Sequence, residues 1–527
     1  MPETVRDLLL QHAGRDDVAM KHGGQEWSWR EVLAAAAARA HVLRELAGDS
    51  GRPHVGVLLP NSPEMALALA AGAIGGHVSA GINTTRRGAA LASDVRRADC
   101  AVLLTDSTHL PLLDGLDLGG ARVIDTDASG WRERVGAAAT TTDGFPDLGA
   151  MDTFMLIFTS GTSGEPKAVQ VAHFMVTMAG SVLAEKYGLG GQDVVYCSMP
   201  LFHSNAVMAG FAVAAASGAA LAVAEFSATG FLADVRRYGA TYLNYVGKPL
   251  AYVLATPERA DDADNPLRFA FGNEASERDI GEFARRFGCS VWDGFGSTEN
   301  AIIITRDETT PPGSIGVPFD GVAVYDRVTR TECPRATYDA DGRVTNLDEA
   351  VGELVNTQGA GFFGGYYNDE RATAERLDGG MYWSGDLAYR DADGFVFLAG
   401  RTDDWLRVDG ENLAAAPIEQ ILLRHPALSQ AAVYAVAEEV GDRLMCALVL
   451  RSGASLTPGD FAAFLAAQPD LSPKAWPRHV RIAPALPSTA TNKVLKRELR
   501  TQGLATDDPV WTRAGRERRY DVESISS

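Results

Sequence analysis

Cysteine is scarce and scattered in this sequence. Five cysteines occur among 527 residues, and none belongs to the Cys-x-x-Cys pairs that zinc sites and thiol redox motifs use. Isolated thiols are typical of a reducing compartment, where disulfides do not persist. The sequence therefore predicts a cytoplasmic protein without a disulfide framework. The cysteines are Cys100, Cys197, Cys289, Cys333 and Cys446.

Basic residues are outnumbered by acidic ones. The chain carries 48 lysines and arginines against 68 aspartates and glutamates, a formal net charge of −20. The mean field of such a protein repels polyanions, which excludes nucleic acid and anionic membrane as general partners. Any nucleotide site must then be locally basic.

The sequence also lacks a segment that is apolar enough to predict a signal peptide or a membrane span. The N-terminus has acidic residues early and no apolar core of a signal peptide. The stretch 206–224 has no charged residue, but it is mostly Ala and Gly, and Ser217 and Gly218 interrupt it. This composition predicts a buried helix, turn and strand rather than a membrane span.

The pattern of apolar residues predicts an α/β protein of at least two domains, because 527 residues exceed a single core. Strands alternate with helices, which predicts parallel sheets with right-handed crossovers. From Gly316, short strands between Gly, Pro and Asp turns predict a β-rich subdomain. We expect a large N-terminal domain over residues 1–400 and a small, mobile α+β domain over 401–527. No Gly/Ser or Pro linker marks the boundary at 401–404, so the joint is short, as a hinge would be.

A polar turn follows the apolar run 154–158, which is typical of a buried strand. Four hydroxyl groups, two glycines and one ammonium group lie between Thr159 and Lys167. Gly161 and Gly164 allow backbone N–H groups to approach an anion closely. The turn is not a Walker loop, because two residues separate Gly164 from Lys167. Taken alone, it is either a phosphate cradle or a polar surface loop.

A formal dinucleotide-binding pattern occurs at 359–364, where the sequence reads Gly-Ala-Gly-Phe-Phe-Gly. The fingerprint requires a helix to begin at these glycines. Here Gly-Tyr-Tyr-Asn-Asp follows, which predicts a continued turn. We therefore interpret the stretch as a glycine-rich β-turn.

Three charged side chains at turns admit both a functional and a structural interpretation. Glu299 ends a Gly/Ser/Thr turn and suits Mg²⁺, which binds hard oxygens, but it could equally be a surface residue near a helix start. Asp386 follows a tight turn, where it either holds ribose hydroxyls or caps the turn. Arg401 precedes two acidic residues and could be an ordinary ion-pair partner.

Two further residues carry weaker indications of a functional role. Lys493 is expected in the first turn of a helix capped by Thr491 or Asn492, where a cation is unfavourable, and a locally disfavoured charge indicates function. His203 follows an apolar segment and, taken alone, is more typical of a core histidine than of a catalyst.

The order of these motifs resembles that of the AMP-forming adenylating superfamily, over about Trp27 to Leu499. That superfamily includes acyl-CoA synthetases, adenylation domains of nonribosomal peptide synthesis and firefly luciferases. The stretches around 271–275 and 282–288 resemble the long-chain and fatty-acid-transport-like acyl-CoA synthetases. The motifs that carry the resemblance are 159–167, 200–203, 294–299, 382–386, 400–410 and 489–493.

The resemblance implies an ATP site. Residues 159–167 would close over the β- and γ-phosphates, Thr159 and Glu299 would hold Mg²⁺, and Thr298 would contact the α-phosphate. Asp386 and Arg401 would hold the ribose. The implied contacts to ATP or AMP are Thr159, Ser160, Gly161, Thr162, Ser163, Gly164, Lys167, the adenine-flanking Gly272, Asn273 and Glu274, then Asp293, Gly294, Phe295, Gly296, Ser297, Asp386 and Arg401.

The resemblance also implies two half-reactions and four catalytic residues: Lys493, Thr298, Glu299 and His203. Lys493 would bridge the substrate carboxylate and the α-phosphate during formation of the acyl-adenylate, which releases pyrophosphate. The small domain would then rotate about the hinge Asp403 and bring Val408 and Gly410 over the adenylate as a tunnel for CoA, whose thiolate displaces AMP.

Three positions bear on this expectation. Asn492 replaces the usual Gly before the lysine, and Arg407 stands where Lys is common, yet no charged group is lost. His203 occupies a place where amino-acid-activating relatives carry an Asp for the substrate amine. A carboxylic acid without an α-amine is therefore favoured.

The sequence thus predicts an ATP-, Mg²⁺- and CoA-dependent acyl-CoA ligase of lipid metabolism that alternates between two domain arrangements. One alternative is a ligase that loads the phosphopantetheine of a carrier protein. Another performs only thioester formation on a preformed adenylate, and a non-enzymatic nucleotide-binding regulator is the third. The sequence specifies neither the acid nor whether the protein is a monomer or a homodimer.

Overall fold

A computed structural model describes residues 2–48, 54–159, 166–340, 344–401, 405–408, 411–437, 442–468, 471, 475–488, 494–513 and 519–522. The chain forms two compact units. The first comprises Met1–Ala301 and Ala360–Asp378, and the second comprises Ile302–Gly359 and Gly379–Ser527.

A seven-stranded sheet lies in the first unit. Its strands are parallel except for the edge strand Gln25–Ser28, which runs antiparallel to Val18–His22. Parallel neighbours connected through helices are the arrangement that the alternating pattern predicts. In spatial order the strands are Ser290–Asp293, Phe269–Asn273, Tyr242–Val246, Val194–Cys197, Ala220–Val223, Val18–His22 and Gln25–Ser28.

A six-stranded sheet lies in the same unit. It is parallel until its last strand, Lys167–Ala172, which runs antiparallel to Thr153–Thr159. The apolar run predicted as a strand is fully buried from Phe154 to Ile157. In spatial order the strands are Arg122–Asp125, Cys100–Thr105, His54–Leu58, Val78–Gly81, Thr153–Thr159 and Lys167–Ala172.

Helices cover these sheets, and local sequence signals set their ends. The helix Trp29–Ala47 has Ser28 as its N-cap. The Ser28 side chain accepts a hydrogen bond from the N–H of Glu31 in a capping box, as the sequence predicts. Pro63–Gly75 has Pro at its first turn and the left-handed Gly76 at its end. The α-helices of this unit are Val5–Leu10, Trp29–Ala47, Pro63–Gly75, Gly88–Arg97, Ser129–Ala137, His173–Lys186, Ser204–Ala206, Ala212–Ser217, Phe231–Tyr238, Gly247–Leu254, Glu277–Phe287 and Glu370–Arg376. A 3₁₀ turn spans Leu110–Leu113, a π turn spans Val207–Phe211, and a short strand spans Leu377–Asp378.

The charge-free stretch 206–224 forms the predicted helix, turn and strand. The π turn Val207–Phe211 continues into the helix Ala212–Ser217, left-handed Gly218 ends it, and the strand Ala220–Val223 follows. Among the described residues, no helix is both long and apolar enough to cross a membrane.

The core of the seven-stranded sheet fixes the positions of its loops. Tyr196, Leu243 and Tyr245 point from the sheet into an apolar cluster that includes Phe283 and Phe287 of the helix Glu277–Phe287. Each of these five side chains is at least 95% buried. The strands are therefore held rigidly, and this fixes the positions at which the loops at their carboxyl ends begin.

Short antiparallel strands make up much of the second unit, as the change of sequence pattern at Gly316 predicts. Its helices are Leu347–Ala350, Ala415–Leu422, Pro458–Ala466 and Lys496–Gln502. Its strands are Ile304–Thr305 with Val317–Pro318, the group Val322–Tyr325, Gly352–Asn356, Met381–Arg390 and Val396–Arg401, the pair Trp405–Val408 with Glu411–Ala414, and the five-stranded sheet of Leu428–Ala437, Asp442–Leu450, His479–Ile482, Val510–Arg513 and Tyr520–Val522.

The domain boundary expected at 401–404 falls inside this second unit, and residues 402–404 lie outside the described part of the chain. A lid domain over 401–527 therefore stays a prediction. One local expectation is wrong: the last helix begins at Lys496, with Leu495 as its N-cap, three residues beyond Lys493. The first turn of that helix therefore does not include Lys493, and an unfavourable helical charge gives no signal for this residue.

Candidate active site

Two antiparallel strands at the edge of the six-stranded sheet flank, along the chain, the polar turn expected to hold phosphates. Thr159 ends one strand and pairs with Lys167, which begins the next. Lys167 is only 6% exposed, and its Nζ lies 5.0 Å from the centre of the Tyr366 ring. Between them, Ser160, Gly161, Thr162, Ser163 and Gly164 lie outside the described residues.

The glycine-rich stretch after residue 359 runs alongside this hairpin. Gln170 N–H donates to the Gly365 carbonyl at 3.1 Å, and Tyr367 N–H donates to the Ala168 carbonyl at 2.8 Å. Gln170 Nε2 also donates to the Gly364 carbonyl at 3.0 Å. The next helix begins only at Glu370, so the stretch is a turn, as predicted, and not a dinucleotide fingerprint.

Glu299 and Tyr366 meet beside Lys167. The Tyr366 hydroxyl donates to Glu299 Oε1 at 2.9 Å and accepts from Arg376 Nε at 3.4 Å. Burial, and next the negative charge of Glu299, raise the pKa of the Tyr366 hydroxyl well above its usual value, so it stays a neutral donor.

The same carboxylate has a second oxygen available. Within the described part of the chain, Glu299 Oε2 has no hydrogen-bond partner. A fixed carboxylate with one open oxygen fits Mg²⁺, which usually binds proteins through one or two oxygen ligands and takes the rest from phosphates and water. The hydroxyl of Thr159, at the end of the buried strand, is a second hard oxygen of the same unit.

Residues next to Glu299 are also constrained. Thr298 Oγ1 donates to Ser204 Oγ at 3.0 Å. Asn300 adopts a left-handed conformation with φ of 51°, which is uncommon for a residue with a side chain. Such strain is concentrated at functional sites.

The residues expected to flank adenine form a loop at the carboxyl ends of two neighbouring strands. Asn273 Nδ2 donates to the Gly294 carbonyl at 2.6 Å, and Gly294 N–H donates to the Gly272 carbonyl at 2.8 Å. The structure therefore brings Gly272–Glu274 together with Asp293–Gly296, two motifs that are about twenty residues apart. Crevices at the carboxyl ends of such strands are where open α/β sheets bind ligands.

Three residues that the sequence argument missed hold this loop. Tyr245 donates through its hydroxyl to Asp293 Oδ1 at 3.0 Å. Asn205 Nδ2 donates to Asn273 Oδ1 at 2.9 Å. Gly247 packs so closely that a Cβ there would lie 2.0 Å from the carbonyl oxygen of Glu274, which itself has φ of 65°. A single Asn, Tyr or Gly gives no signal in one sequence, so only the strand register reveals them.

His203 lies in an apolar environment at the start of the helix Ser204–Ala206. Its ring is 4.6 Å from that of Phe202, and its Nε2 is buried without a partner among the described residues. Burial lowers the pKa of His203 to about 4, so the imidazole is neutral at pH 7. The π turn that follows, Val207–Phe211, is an irregularity often found at functional sites.

Asp386 and Arg401 lie in the second unit and face each other as backbone partners on adjacent strands. Asp386 is 8% exposed, and its N–H donates to Ser384 Oγ at 3.0 Å, so the residue is part of a turn that bulges from the strand. Val408 ends the strand Trp405–Val408. Asp403, Gly410 and Lys493 lie outside the described residues.

Comparison with known proteins gives this geometry its context. The family model described as AMP-binding enzyme matches residues 10–367, and that of the AMP-binding enzyme C-terminal domain matches residues 417–493. The chain belongs to the AMP-binding enzyme family. The resemblance stated from the motifs is thereby confirmed.

Relatives extend over nearly the whole chain. A medium/long-chain-fatty-acid–CoA ligase, FadD17, of Mycobacterium marinum is 50% identical over 510 residues, covering 96% of this chain and 98% of that protein. The steroid-22-oyl-CoA synthetase of Rhodococcus jostii is 45% identical over 519 residues, covering 97% and 93%. The crystal structure of ATP-bound MatB from Rhodopseudomonas palustris shares the fold, with a TM-score of 0.83 at 22% identity, covering 95% of this chain and 99% of that chain.

These matches establish the reaction class. The chain is an AMP-forming acyl-CoA ligase, whose substrates are a carboxylic acid, ATP and CoA. The predicted fold class is confirmed as well, with mixed α/β sheets, a large N-terminal domain and a small C-terminal domain. The alternative of a non-enzymatic nucleotide-binding regulator is set aside.

Proposed function

We propose that this ligase activates an apolar carboxylic acid without an α-amino group: a medium- or long-chain fatty acid or the carboxylated side chain of a steroid. The observation that carries the proposal is the 50% identity, over 96% of the chain, to a ligase named for medium- and long-chain fatty acids. The 45% identity to a steroid-22-oyl-CoA synthetase supports the steroid member of the class.

The environment of His203 supports the same substrate class. Its neutral imidazole packs against Phe202 and precedes the apolar turn Val207–Phe211. A substrate ammonium group would need a carboxylate to compensate its lost hydration. A neutral ring in an apolar wall instead favours an uncharged acyl chain, and its polar nitrogen is available to the carboxyl group.

We assign the first half-reaction to groups that stabilise charge at the α-phosphorus. Attack by the substrate carboxylate concentrates negative charge on the phosphate oxygens, and preorganised cations and donors stabilise that charge. Lys493 supplies a point charge between carboxylate and α-phosphate, Thr298 contacts the α-phosphate, and residues 159–167 enclose the β- and γ-phosphates with Lys167 at their end.

The residues assigned to Mg²⁺ are Thr159 and Glu299. When bound, the ion neutralises charge on the phosphate oxygens and orients them for in-line displacement. The fixed carboxylate of Glu299, with Oε2 open, is the observation that supports this assignment.

We assign the nucleoside contacts to the loops already described. Gly272, Asn273 and Glu274 flank adenine, supported by the hydrogen bonds that hold Asn273 against Gly294. Asp293, Phe295, Gly296 and Ser297 complete that turn. Asp386 and Arg401 bind the ribose, a role that suits a carboxylate at a bulge and a guanidinium on the adjacent strand.

The second half-reaction uses a different arrangement of the same residues. Rotation about Asp403 removes Lys493 and presents Val408 and Gly410 to the acyl-adenylate, where a glycine leaves room for pantetheine. The CoA thiolate then attacks the acyl carbonyl, the acyl–oxygen bond to AMP breaks, and AMP departs with the bonding electrons. We assign the enzyme to the cytoplasm, since all five cysteines are free thiols.

A panel of acids with ATP, Mg²⁺ and CoA, analysed by mass spectrometry, tests the proposal. We expect acyl-CoA from medium- and long-chain fatty acids or from steroid side-chain acids, and none from α-amino acids. Pyrophosphate release with amino acids alone would refute the substrate class. Supplying a holo-carrier protein in place of CoA separates free CoA from a carrier as acceptor. Product from a synthetic acyl-adenylate without ATP, combined with no product from the free acid with ATP, would mean that only the thioester step is catalysed. Light scattering distinguishes a monomer from a homodimer.

A further inference from the structure

Tyr366 connects two motifs that are distant in sequence. It is 4% exposed, its hydroxyl donates to Glu299 Oε1 at 2.9 Å, and its ring face lies 5.0 Å from the ammonium of Lys167. Arg376 Nε approaches the hydroxyl oxygen at 3.4 Å. One side chain therefore contacts the carboxylate assigned to Mg²⁺ and the lysine that ends the phosphate turn.

The backbone fixes where that side chain can be. Tyr366 forms a bridge with Val169 on the strand Lys167–Ala172. Its own N–H donates to Thr373 Oγ1 at 2.9 Å, and its ring packs edge-on against Phe363 with centroids 5.0 Å apart. Main-chain and ring contacts thus fix Tyr366 independently of Glu299.

The direction of the hydrogen bond restricts the carboxylate. A Glu side chain has three rotatable bonds, and a surface Glu samples many rotamers. With Oε1 held by a fixed donor, rotation about the last bond would break a charge-assisted hydrogen bond. The carboxylate then keeps Oε2 on the opposite side, which is the oxygen without a partner in the described part of the chain.

We propose that Tyr366 is a positioning residue for metal binding: its hydroxyl occupies Oε1 of Glu299 and so presents Oε2 to Mg²⁺. The inference rests on the proposed role of Glu299. Arg376 strengthens the arrangement, because a donor to the hydroxyl oxygen polarises the O–H group toward the carboxylate. The Lys167 ammonium on the ring face is held by the electron-rich ring without competing for either oxygen.

The alternative is that Tyr366 serves only as a packed aromatic ring. Tyr366→Phe separates the two cases, because it removes the hydroxyl and keeps the ring that faces Lys167 and Phe363. Its matched control is Tyr367→Phe, which removes the same group from the neighbouring residue, whose hydroxyl donates to Asp99 Oδ2 at 3.1 Å.

The measurement is Mn²⁺ binding to enzyme saturated with α,β-methylene-ATP, followed by electron paramagnetic resonance. The analogue cannot be cleaved between the α- and β-phosphates, so the readout is metal affinity and not turnover. Partners that orient a metal ligand are typically worth about 10–100-fold in affinity. We expect Tyr366→Phe to weaken Mn²⁺ binding by at least about 10-fold on that scale, and Tyr367→Phe to leave it unchanged.

Two further variants, Glu299→Gln and Arg376→Gln, distinguish a wrong positioning role from a wrong metal assignment. Glu299→Gln should weaken Mn²⁺ binding at least as much as Tyr366→Phe. If Glu299→Gln weakens binding and Tyr366→Phe does not, the positioning role is wrong and the metal assignment stands. If neither does, the role of Glu299 in the proposed function is wrong and the inference falls with it. Arg376→Gln leaves Tyr366 in place and should give a smaller loss of Mn²⁺ affinity. It supplies the test should Tyr366→Phe fail to fold, and unchanged affinity would then overturn the proposal.

Discussion

Gly247 allows a direct test of the proposal that the loop at 272–274 flanks adenine, because steric contacts require a residue without a side chain at this position. It begins the helix Gly247–Leu254, directly after the strand Tyr242–Val246. A Cβ built there would lie 2.0 Å from the carbonyl oxygen and 2.5 Å from the carbonyl carbon of Glu274, and 2.8 Å from Cα of Ala275. All three neighbours are backbone atoms, so no side chain can rotate away.

Gly247→Ala must therefore displace the loop at 273–275. Relief of a 2.0 Å contact to a normal separation requires a backbone shift of more than about 1 Å. Overpacking of this kind costs about 1–3 kcal/mol of stability, and a shift of about 1 Å in a binding element can cost about 10²-fold in catalytic efficiency. We expect the KM for ATP to rise and kcat/KM for ATP to fall by about 10–100-fold on that basis.

The assay is ATP–pyrophosphate exchange at varied ATP, with thermal unfolding in parallel. The control is Gly281→Ala in the helix Glu277–Phe287, where no atom lies within 4 Å of the added methyl group. That change should leave the KM for ATP unaltered and raise stability by up to about 1 kcal/mol. A Gly247→Ala protein that is destabilised but keeps its KM for ATP would refute the assignment of this loop to adenine.

Three other predictions concern the catalytic cycle and pH. Lys493→Ala should slow adenylation by about 10²–10³-fold while thioester formation from a synthetic acyl-adenylate and CoA continues; adenylation at the wild-type rate would exclude the catalytic role. Asp403→Pro should fix φ at the hinge, so rapid-quench assays should show one half-reaction falling much further than the other, and equal losses would argue against two domain arrangements. Burial lowers the pKa of His77, His173 and His203 from 6.5 to about 4. Between those two pKa values the unfolded chain binds more protons than the folded one, so the free energy of unfolding, measured with urea, should fall from pH 7 to pH 5. The full loss, reached below about pH 4, is on the order of 3 kcal/mol per histidine. Equal urea midpoints at pH 7 and pH 5 would contradict this prediction.

Much of the first unit is predictable because its signals are local. The helix Phe231–Tyr238 and the strand Tyr242–Val246 have the bounds that apolar periodicity predicts. The sequence also predicts a helix over residues 84–98, but the helix begins only at Gly88 and ends at Arg97. Asn83 Oδ1 accepts from both the N–H and the hydroxyl of Thr85, and such local side-chain bonds compete with the helix.

The last helix shows the same competition at longer range. Thr491 and Asn492 look like N-caps, yet Leu495 N–H donates to the Pro487 carbonyl at 2.8 Å, and Ser488 forms a bridge with Val494. The main chain at 487–488 is thus paired with that at 494–495 immediately before the helix starts at Lys496. Cap residues alone cannot reveal this, because the competing partner lies eight residues away.

Contacts within the candidate site were the least predictable part. The sequence indicates Glu299 and Lys167 as polar residues at turns, but it does not indicate that Tyr366, which is 67 residues from Glu299, contacts both. A tyrosine in a glycine-rich turn has no periodicity that distinguishes it from a surface residue. Its importance emerges only when the strand Lys167–Ala172 and the turn at 364–367 are paired.

The segment 203–205 shows why the order of motifs along the chain corresponds to a single site. Three consecutive residues face three parts of it: His203 lies in the apolar wall assigned to the acyl group, Ser204 Oγ accepts from Thr298, and Asn205 donates to Asn273. The proposed contacts to the acid, the α-phosphate and adenine therefore depend on one short backbone segment. Because the seven-stranded sheet holds Tyr245, whose carbonyl also accepts from Asn205 at 3.0 Å, that segment cannot move without disturbing the nucleotide loop. If these proposed contacts are correct, the acid and ATP are aligned by the same rigid element, which is the condition for in-line attack.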